Sequence, residues 1–261
     1  MLKSNKIDIY WFSGSGNSAL IAMKMQEAFR LRNYHTNLLA IENHLDFNDH
    51  NMAETLGIIF PIIAGTTYPL VWKFLKALPK TKERNVFLVL IKNDGLIRIM
   101  SAVKKILINK GYTCLGATVI NMPTKLTVDP ITNYDEKLFV GIKKSVAFVD
   151  DLMFETTTWQ GYTMMGFTSI LKYLPFLIHK YATNLRIDSL LCDGCQLCVK
   201  LCPVSAISLK NGYLELDDKL CESCFRCLHY CPKNAFTYKG QQLQQNQAVK
   251  VKMFLNIKDE N

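Results

Sequence analysis

The chain lacks the features that mark membrane-spanning and secreted proteins. Although 49% of its 261 residues are hydrophobic, none of its apolar runs reaches the roughly 18 uncharged residues that a membrane-spanning helix needs. The first residues lead directly into an apolar strand pattern, without the apolar core segment of a signal peptide. We therefore expect a cytoplasmic protein with no transmembrane segment.

The sequence also has few patterns typical of hydrolases or of nucleic-acid binding. It shows no Ser-His-Asp arrangement and no pair of carboxylates at a fixed spacing, so we predict no catalytic residue. The histidines have no ligand spacing, and His229 is expected at the surface. The formal charge of +9 forms no basic stripe interleaved with aromatic residues. We expect no nucleic-acid partner, whereas the basic first domain would attract either an acidic redox partner protein or a phosphorylated ligand through its overall field.

Cysteine, by contrast, is concentrated in one segment. Eight of the nine cysteines form two copies of the pattern C-x2-C-x2-C-x3-C-P, the run that holds [4Fe–4S] clusters. Zinc sites use separated C-x2-C pairs, and disulfide frameworks belong to secreted domains. The pattern therefore favours two clusters. The first motif contains Cys192, Cys195, Cys198 and Cys202, and the second contains Cys221, Cys224, Cys227 and Cys231.

The two motifs resemble the bacterial two-cluster ferredoxins over about residues 185–238. In that run the fourth cysteine ligates the other cluster, so Cys231 is expected to join the first three ligands and Cys202 to join the second three. The resemblance implies an α+β module at 185–240. Strands are expected after each motif, at 206–209 and 235–238, with a turn at 210–213.

The first part of the chain alternates buried apolar runs with helical patterns, which predicts a parallel sheet covered on both faces. The remaining free cysteine, Cys114, is expected to be a small core residue. The predicted strands are 7–12, 36–41, 56–60, 86–91 and 115–120, and the predicted helices are 17–31, about 69–78, about 96–110 and about 135–154.

A hydroxyl-rich loop, Ser13–Ser18, joins the first strand to the first helix. Its glycines allow backbone amides to turn inward, and a helix amino terminus favours an anion. The loop resembles the phosphate loop of flavodoxins, which implies FMN-phosphate binding by Ser13, Gly14, Ser15, Gly16, Asn17 and Ser18. Two alternatives stay open: a nicotinamide dinucleotide fingerprint with Glu42 as the ribose ligand, and a simple turn.

The flavodoxin resemblance also implies a doubly wound sheet with strand order 2-1-3-4-5 and the flavin beyond the carboxyl ends of its strands. Two further loops are then expected beside the flavin ring. Tyr68 is expected either to stack on the ring or to pack on the following helix. The ring-loop residues are Pro61, Ile62, Ile63, Ala64, Gly65 and Thr66 after the third strand, and Asn93, Asp94 and Gly95 after the fourth.

The expected organisation is a flavodoxin-like domain at 1–155, an apolar helical connector at 156–184, the ferredoxin domain at 185–240 and a tail at 241–261. The connector is predicted to pack the two domains together, with a membrane-surface helix as the alternative. The domain order resembles fused flavodoxin and ferredoxin proteins of anaerobic bacteria.

That resemblance implies electron transfer between two [4Fe–4S] clusters and FMN on behalf of partner proteins. Two alternatives are a flavin-dependent reductase of a small molecule, and an iron–sulfur sensor or scaffold whose flavin fold is empty.

Overall fold

A computed structural model describes residues 2, 4–47, 52–92, 99–123, 133–159 and 184–255. In the first part, five strands form one parallel sheet in the order β2-β1-β3-β4-β5. This confirms the predicted flavodoxin-like order. The strands are β1 (Lys6–Trp11), β2 (His35–Ala40), β3 (Thr55–Pro61), β4 (Asn85–Lys92) and β5 (Thr113–Asn121).

Helices cover both faces of this sheet. The central strands β3 and β4 are buried along nearly their whole length, because they have helices on both sides. One apolar core contains residues of the first and fourth helices, and a second core contains residues of the other two. The helices are α1 (Asn17–Arg30), α2 (Pro69–Ala77), α3 (Ile99–Asn109) and α4 (Tyr134–Met153).

The second part is a small α+β unit built around the two cysteine motifs. Its strands form a hairpin, β7-β8, and a three-stranded sheet in the order β10-β9-β6. Asn211 and Gly212 adopt positive φ in the hairpin turn, as a tight two-residue connection requires. Its elements are β6 (Leu185–Ile187), α5 (Leu197–Leu201), β7 (Ile207–Lys210), β8 (Tyr213–Leu216), α6 (Arg226–Tyr230), β9 (Phe236–Tyr238), β10 (Gln241–Gln242) and α7 (Lys252–Leu255).

The two units pack directly against each other. Tyr230 and Phe254 join the core beneath α1 and α4, with their ring centroids 5.0 Å apart. Val204 and Cys224 pack against the core on the opposite face of the sheet. Side chains from the cysteine-rich unit thus extend both apolar cores of the α/β unit.

Some predictions concern residues outside the described part of the chain. Asn93, Asp94 and Gly95 fall there, as does most of the predicted connector, residues 160–183. Their expected roles remain predictions. Among the helices that the structure does describe, none has the length and apolar character needed to cross a membrane.

Candidate functional site

The hydroxyl-rich loop lies at the carboxyl end of β1 and leads into α1. Gly16 adopts a φ of 96°, which only glycine tolerates easily, and its amide donates to Ser13 Oγ at 3.0 Å. The Asn17 side-chain amide donates to the Pro123 carbonyl at 2.8 Å, which fixes the loop to the end of β5. These two hydrogen bonds hold the loop in one conformation at the start of α1.

One buried hydroxyl of this loop has no partner among the residues that the structure describes. Ser18 is 1% exposed, and its Oγ makes no hydrogen bond to any of them, although buried hydroxyls are normally paired. Ser18 lies in the first turn of α1, where backbone amides lack intrahelical acceptors and the helix dipole favours negative charge. An anion at this position would satisfy both kinds of donor.

The eight motif cysteines surround two separate cavities. The first cavity, about 310 Å³ including open solvent, is bordered by Cys192, Cys195, Cys198 and Cys231. The second, about 330 Å³ on the same basis, is bordered by Cys202, Cys221, Cys224 and Cys227. Each set thus contains three cysteines of one motif and the fourth cysteine of the other, the grouping expected from the sequence.

The backbone around the two cavities repeats. Gln196 and Phe225 occupy equivalent positions and share a φ of 59°. The fourth cysteines also match, because Cys202 Sγ accepts from the Ala206 amide at 3.1 Å and Cys231 Sγ accepts from the Ala235 amide at 3.3 Å. Hydrogen bonds of this kind to sulfur tune the potential of a cluster.

The four cysteine sulfurs of each set surround a cavity and do not converge on a single point. Within the described residues, no three His, Cys, Asp or Glu side chains converge closely enough to hold a single metal ion. Burial raises the pKa of Cys198 to about 11 and that of Cys224 to about 12. A metal must therefore displace protons from these thiols when it binds.

The two sets differ in exposure. Cys195 of the first set is exposed, whereas Cys221 and Cys227 of the second set are buried. The second set lies against the α/β unit. The Cys224 carbonyl oxygen occupies the place that a methyl group on Gly14 would need, so only glycine allows this approach.

Arg226 is the main polar link between the units. Its guanidinium group is 2% exposed and donates to the Ser13 carbonyl from Nε at 3.0 Å and from Nη2 at 2.8 Å. Nη1 forms an ion pair with Glu42 at 2.6 Å and donates to the Leu201 carbonyl at 3.1 Å. The Phe254 ring lies 4.3 Å from the guanidinium carbon.

The tail completes the contact with the loop. The Ala248 amide donates to the Ser15 carbonyl at 3.3 Å. Tyr230 donates its hydroxyl to the Val249 carbonyl at 3.0 Å, and the same hydroxyl would lie 2.5 Å from a methyl group on Gly16. The carbonyl side of the hydroxyl-rich loop is thus covered by the cysteine-rich unit and its tail.

A carboxylate crosses the interface beside the second cysteine set. Glu222 Oε2 accepts a hydrogen bond from the Leu70 amide at 3.0 Å, in the first turn of α2. Burial raises the pKa of Glu222 to about 7, and the hydrogen bond from Leu70 partly opposes this rise. The helix terminus and the carboxylate therefore stabilise each other across the two units.

The structure gives clear positions for several other residues. Tyr68 is buried and lies 5.1 Å from the Phe12 ring, beside the second cysteine set. In the loop after β3, Ile63 pairs with Thr66 around the positive-φ residues Ala64 and Gly65. This tight turn stands at the edge of the sheet predicted to face the flavin ring.

Two side chains differ from simple sequence expectations. The prediction that His229 lies at the surface is wrong: its Nδ1 accepts from the buried Asn246 amide at 3.2 Å, and burial lowers the pKa of His229 to about 4. Glu42, the ribose ligand of the dinucleotide alternative, is instead paired with Arg226.

Cys114 is half-buried, and burial raises the pKa of its thiol to about 11, which makes it a weak nucleophile.

Comparison with known proteins identifies the second unit more specifically than the first. Residues 191–235 match the family model of the 4Fe-4S dicluster domain, a segment that contains all eight motif cysteines. No curated protein is similar enough in sequence to count as a relative.

Solved structures similar to the chain include two flavodoxins and an azoreductase. A flavodoxin from Streptococcus pneumonia is 13% identical with a TM-score of 0.46, over 57% of this chain and 99% of that one. A Megasphaera elsdenii flavodoxin is 21% identical with a TM-score of 0.40, over 53% and 98%. The Bacillus anthracis azoreductase is 8% identical with a TM-score of 0.41, over 56% and 99%.

Proposed function

We propose that this chain transfers electrons between two [4Fe–4S] clusters and a bound FMN, and exchanges them with partner proteins. The observation that carries the proposal is the direct contact between Cys224, in the second cysteine set, and Gly14, in the hydroxyl-rich loop. Groups bound at these two places would be neighbours within one chain, so that electron transfer between them would need no encounter between molecules.

The clusters suit the two cysteine sets, which supply four thiols each around cavities instead of around a single ion. The more exposed first set, with Cys195 at the surface, would exchange electrons with partner proteins. The second set, with Cys221 and Cys227 buried, would face the flavin. Free thiolate ligands also fit a reducing compartment such as the cytoplasm.

FMN suits the hydroxyl-rich loop because the loop has a buried hydroxyl, on Ser18, that makes no hydrogen bond to any described residue. In a planar trans peptide the C=O and N–H bonds point in opposite directions. Since the Ser13 carbonyl accepts from Arg226, the Gly14 N–H points away from the guanidinium group. These donors would hold the phosphate. Bound FMN would supply both one- and two-electron steps.

Anaerobic purification followed by metal and cofactor analysis tests this function. We expect about eight iron and eight acid-labile sulfide per chain, as two cubane clusters require, together with about one FMN. Cys224→Ser should remove or convert one cluster, whereas Cys114→Ser, which changes the cysteine outside the motifs, should keep the full iron content. Zinc in place of iron would refute the cluster assignment, and iron without flavin would refute the electron route through FMN.

A further inference from the structure

Arg226 is a buried cation that lies at the border of the second cysteine cavity. It lies between Cys224 and Cys227, yet its side chain points into the α/β unit and reaches the Ser13 carbonyl and Glu42. The Phe12 and Phe254 rings enclose the guanidinium group. Burying a charge is costly unless it is fully hydrogen-bonded, so a residue of this kind needs an explanation beyond packing.

The bonds of Arg226 to the hydroxyl-rich loop set the orientation of one peptide group. Two guanidinium nitrogens donate to the same Ser13 carbonyl, at 3.0 and 2.8 Å. Because C=O and N–H point in opposite directions in a trans peptide, fixing this carbonyl also fixes the Gly14 N–H. That N–H is one of the donors through which the loop would bind an anion.

Arg226 also contacts the backbone beside the second cysteine set. Arg226 stands two residues after Cys224 and immediately before Cys227, and its Nη1 donates to the carbonyl of Leu201, the neighbour of Cys202. Three of the four cysteines of this set are therefore adjacent or nearly adjacent to groups that Arg226 orders. A loop rearranged by loss of its cluster would move the guanidinium group as well.

We propose that Arg226 is a positioning residue that couples the second cysteine set to the hydroxyl-rich loop, so that filling the second cluster site strengthens FMN binding. This inference rests on the proposed function. The coupling is reciprocal, as linkage requires: bound FMN would equally stabilise the loaded second cluster. Glu42 serves the same contact, since it neutralises the guanidinium group and holds it beside Ser13.

The test compares the FMN affinity of the wild type with that of variants, each prepared with its clusters loaded and its flavin removed. Affinity is measured anaerobically by the quenching of flavin fluorescence. Arg226→Gln alone leaves Glu42 buried and unpaired, which can prevent folding. The main variant therefore combines Arg226→Leu with Glu42→Gln and removes both charges together. Leucine is the residue at the equivalent position of the first motif, Leu197. We expect FMN to bind about tenfold more weakly, within the usual range of coupling between sites.

Arg186→Leu is the matched control, because this arginine lies in the same unit and its side chain is 62% exposed. It should leave FMN affinity unchanged. A second measurement is independent of flavin: Trp11, Trp72 and Trp159, the three tryptophans, all lie in the α/β unit. Thermal unfolding is followed by tryptophan fluorescence and by visible cluster absorbance. The two transitions should occur at the same temperature in the wild type and at different temperatures in the double variant.

The outcomes distinguish the inference from the function on which it rests. If the wild type binds FMN and the double variant binds it equally well, Arg226 does not couple the two sites. If the wild type binds no FMN, the proposed function is refuted and the coupling with it. The unfolding measurement tests separately whether Arg226 holds the two units together. If the fluorescence and absorbance transitions still coincide in the double variant, Arg226 does not hold the units together.

Discussion

At the scale of single residues, the polar contacts between the units come from positions at which two otherwise similar motifs differ. Arg226 and Tyr230 occupy the positions at which the first motif has Leu197 and Leu201. Leu201 and Tyr230 both lie in the core that the two units share. Arg226 and Tyr230 add hydrogen bonds to the Ser13 and Ser15 carbonyls, which the leucine side chains cannot make.

The sequence shows these differences between the motifs but does not indicate which residues Arg226 and Tyr230 contact. Arg226 and Ser13 are 213 positions apart, and no local pattern indicates a contact at that separation. His229 was predicted at the surface for the same reason: the tail residue Asn246, which covers it, follows 17 positions later. The cysteine sets, by contrast, were predictable from the motif spacing together with the ferredoxin resemblance, in which the fourth cysteine of each run joins the other set.

Gly14→Ala tests the close approach of the units at the residue scale. The backbone of Gly14 does not need a positive φ, so alanine is allowed there, but its methyl group would overlap the Cys224 carbonyl oxygen. We expect a loss of about 1–3 kcal/mol in the free energy of unfolding, as overpacking costs, and faster iron release to a chelator.

Gly212→Ala is the control for this prediction. Its added methyl group meets nothing within 4 Å, although its φ of 82° introduces backbone strain. It should therefore lower stability without accelerating iron release. Gly14→Ala protein that releases iron at the wild-type rate and keeps its stability would show that the two units are not in close contact at this point.

At the scale of secondary-structure elements, α2 is completed by a residue from the other unit. Tyr68, at the N-cap position, makes no side-chain cap bond, and Glu222 supplies the missing acceptor for the Leu70 amide. Pro69 at the first helical position needs no acceptor of its own. The helix and the second cysteine motif thus stabilise each other through a capping bond.

Substitution of Glu222 tests this capping bond. Glu222→Ala removes the acceptor and should lower the free energy of unfolding by about 1 kcal/mol, the usual cost of losing an N-cap. Glu222→Gln keeps a side-chain oxygen as acceptor and should retain most of that stability. Urea unfolding at neutral pH, with iron content checked in each variant, measures both. Equal stability of the alanine and glutamine variants would show that the bond contributes nothing.

The elements of the α/β unit were predictable because each strand is a short apolar run between turn residues. The predicted strand 56–60 corresponds to β3 (Thr55–Pro61), and the predicted helix 17–31 corresponds to α1 (Asn17–Arg30). Burial on both faces produces such runs. Local patterns carry no information on how the finished units meet, and Glu222, Arg226 and Tyr230 were for that reason not identified as interface residues.

At the scale of the whole molecule, the chain is a flavodoxin-like unit fused to a 4Fe-4S dicluster region, with its second cysteine set against the hydroxyl-rich loop. The arrangement gives the proposed route a direction in space: partner protein, first cluster, second cluster, flavin. The exposed Cys195 marks the outer end of this route, and the contact between Cys224 and Gly14 marks the inner end.

The most direct test of this route is the rate of flavin reduction by an external low-potential donor, followed anaerobically by absorbance. In wild-type protein and in the Cys114→Ser control, we expect the flavin to be reduced rapidly through the clusters. In Cys224→Ser, which removes one thiol of the second set, flavin bound at saturating FMN should be reduced much more slowly. Reduction of the Cys224→Ser flavin at the wild-type rate would contradict the proposed transfer between the clusters and FMN.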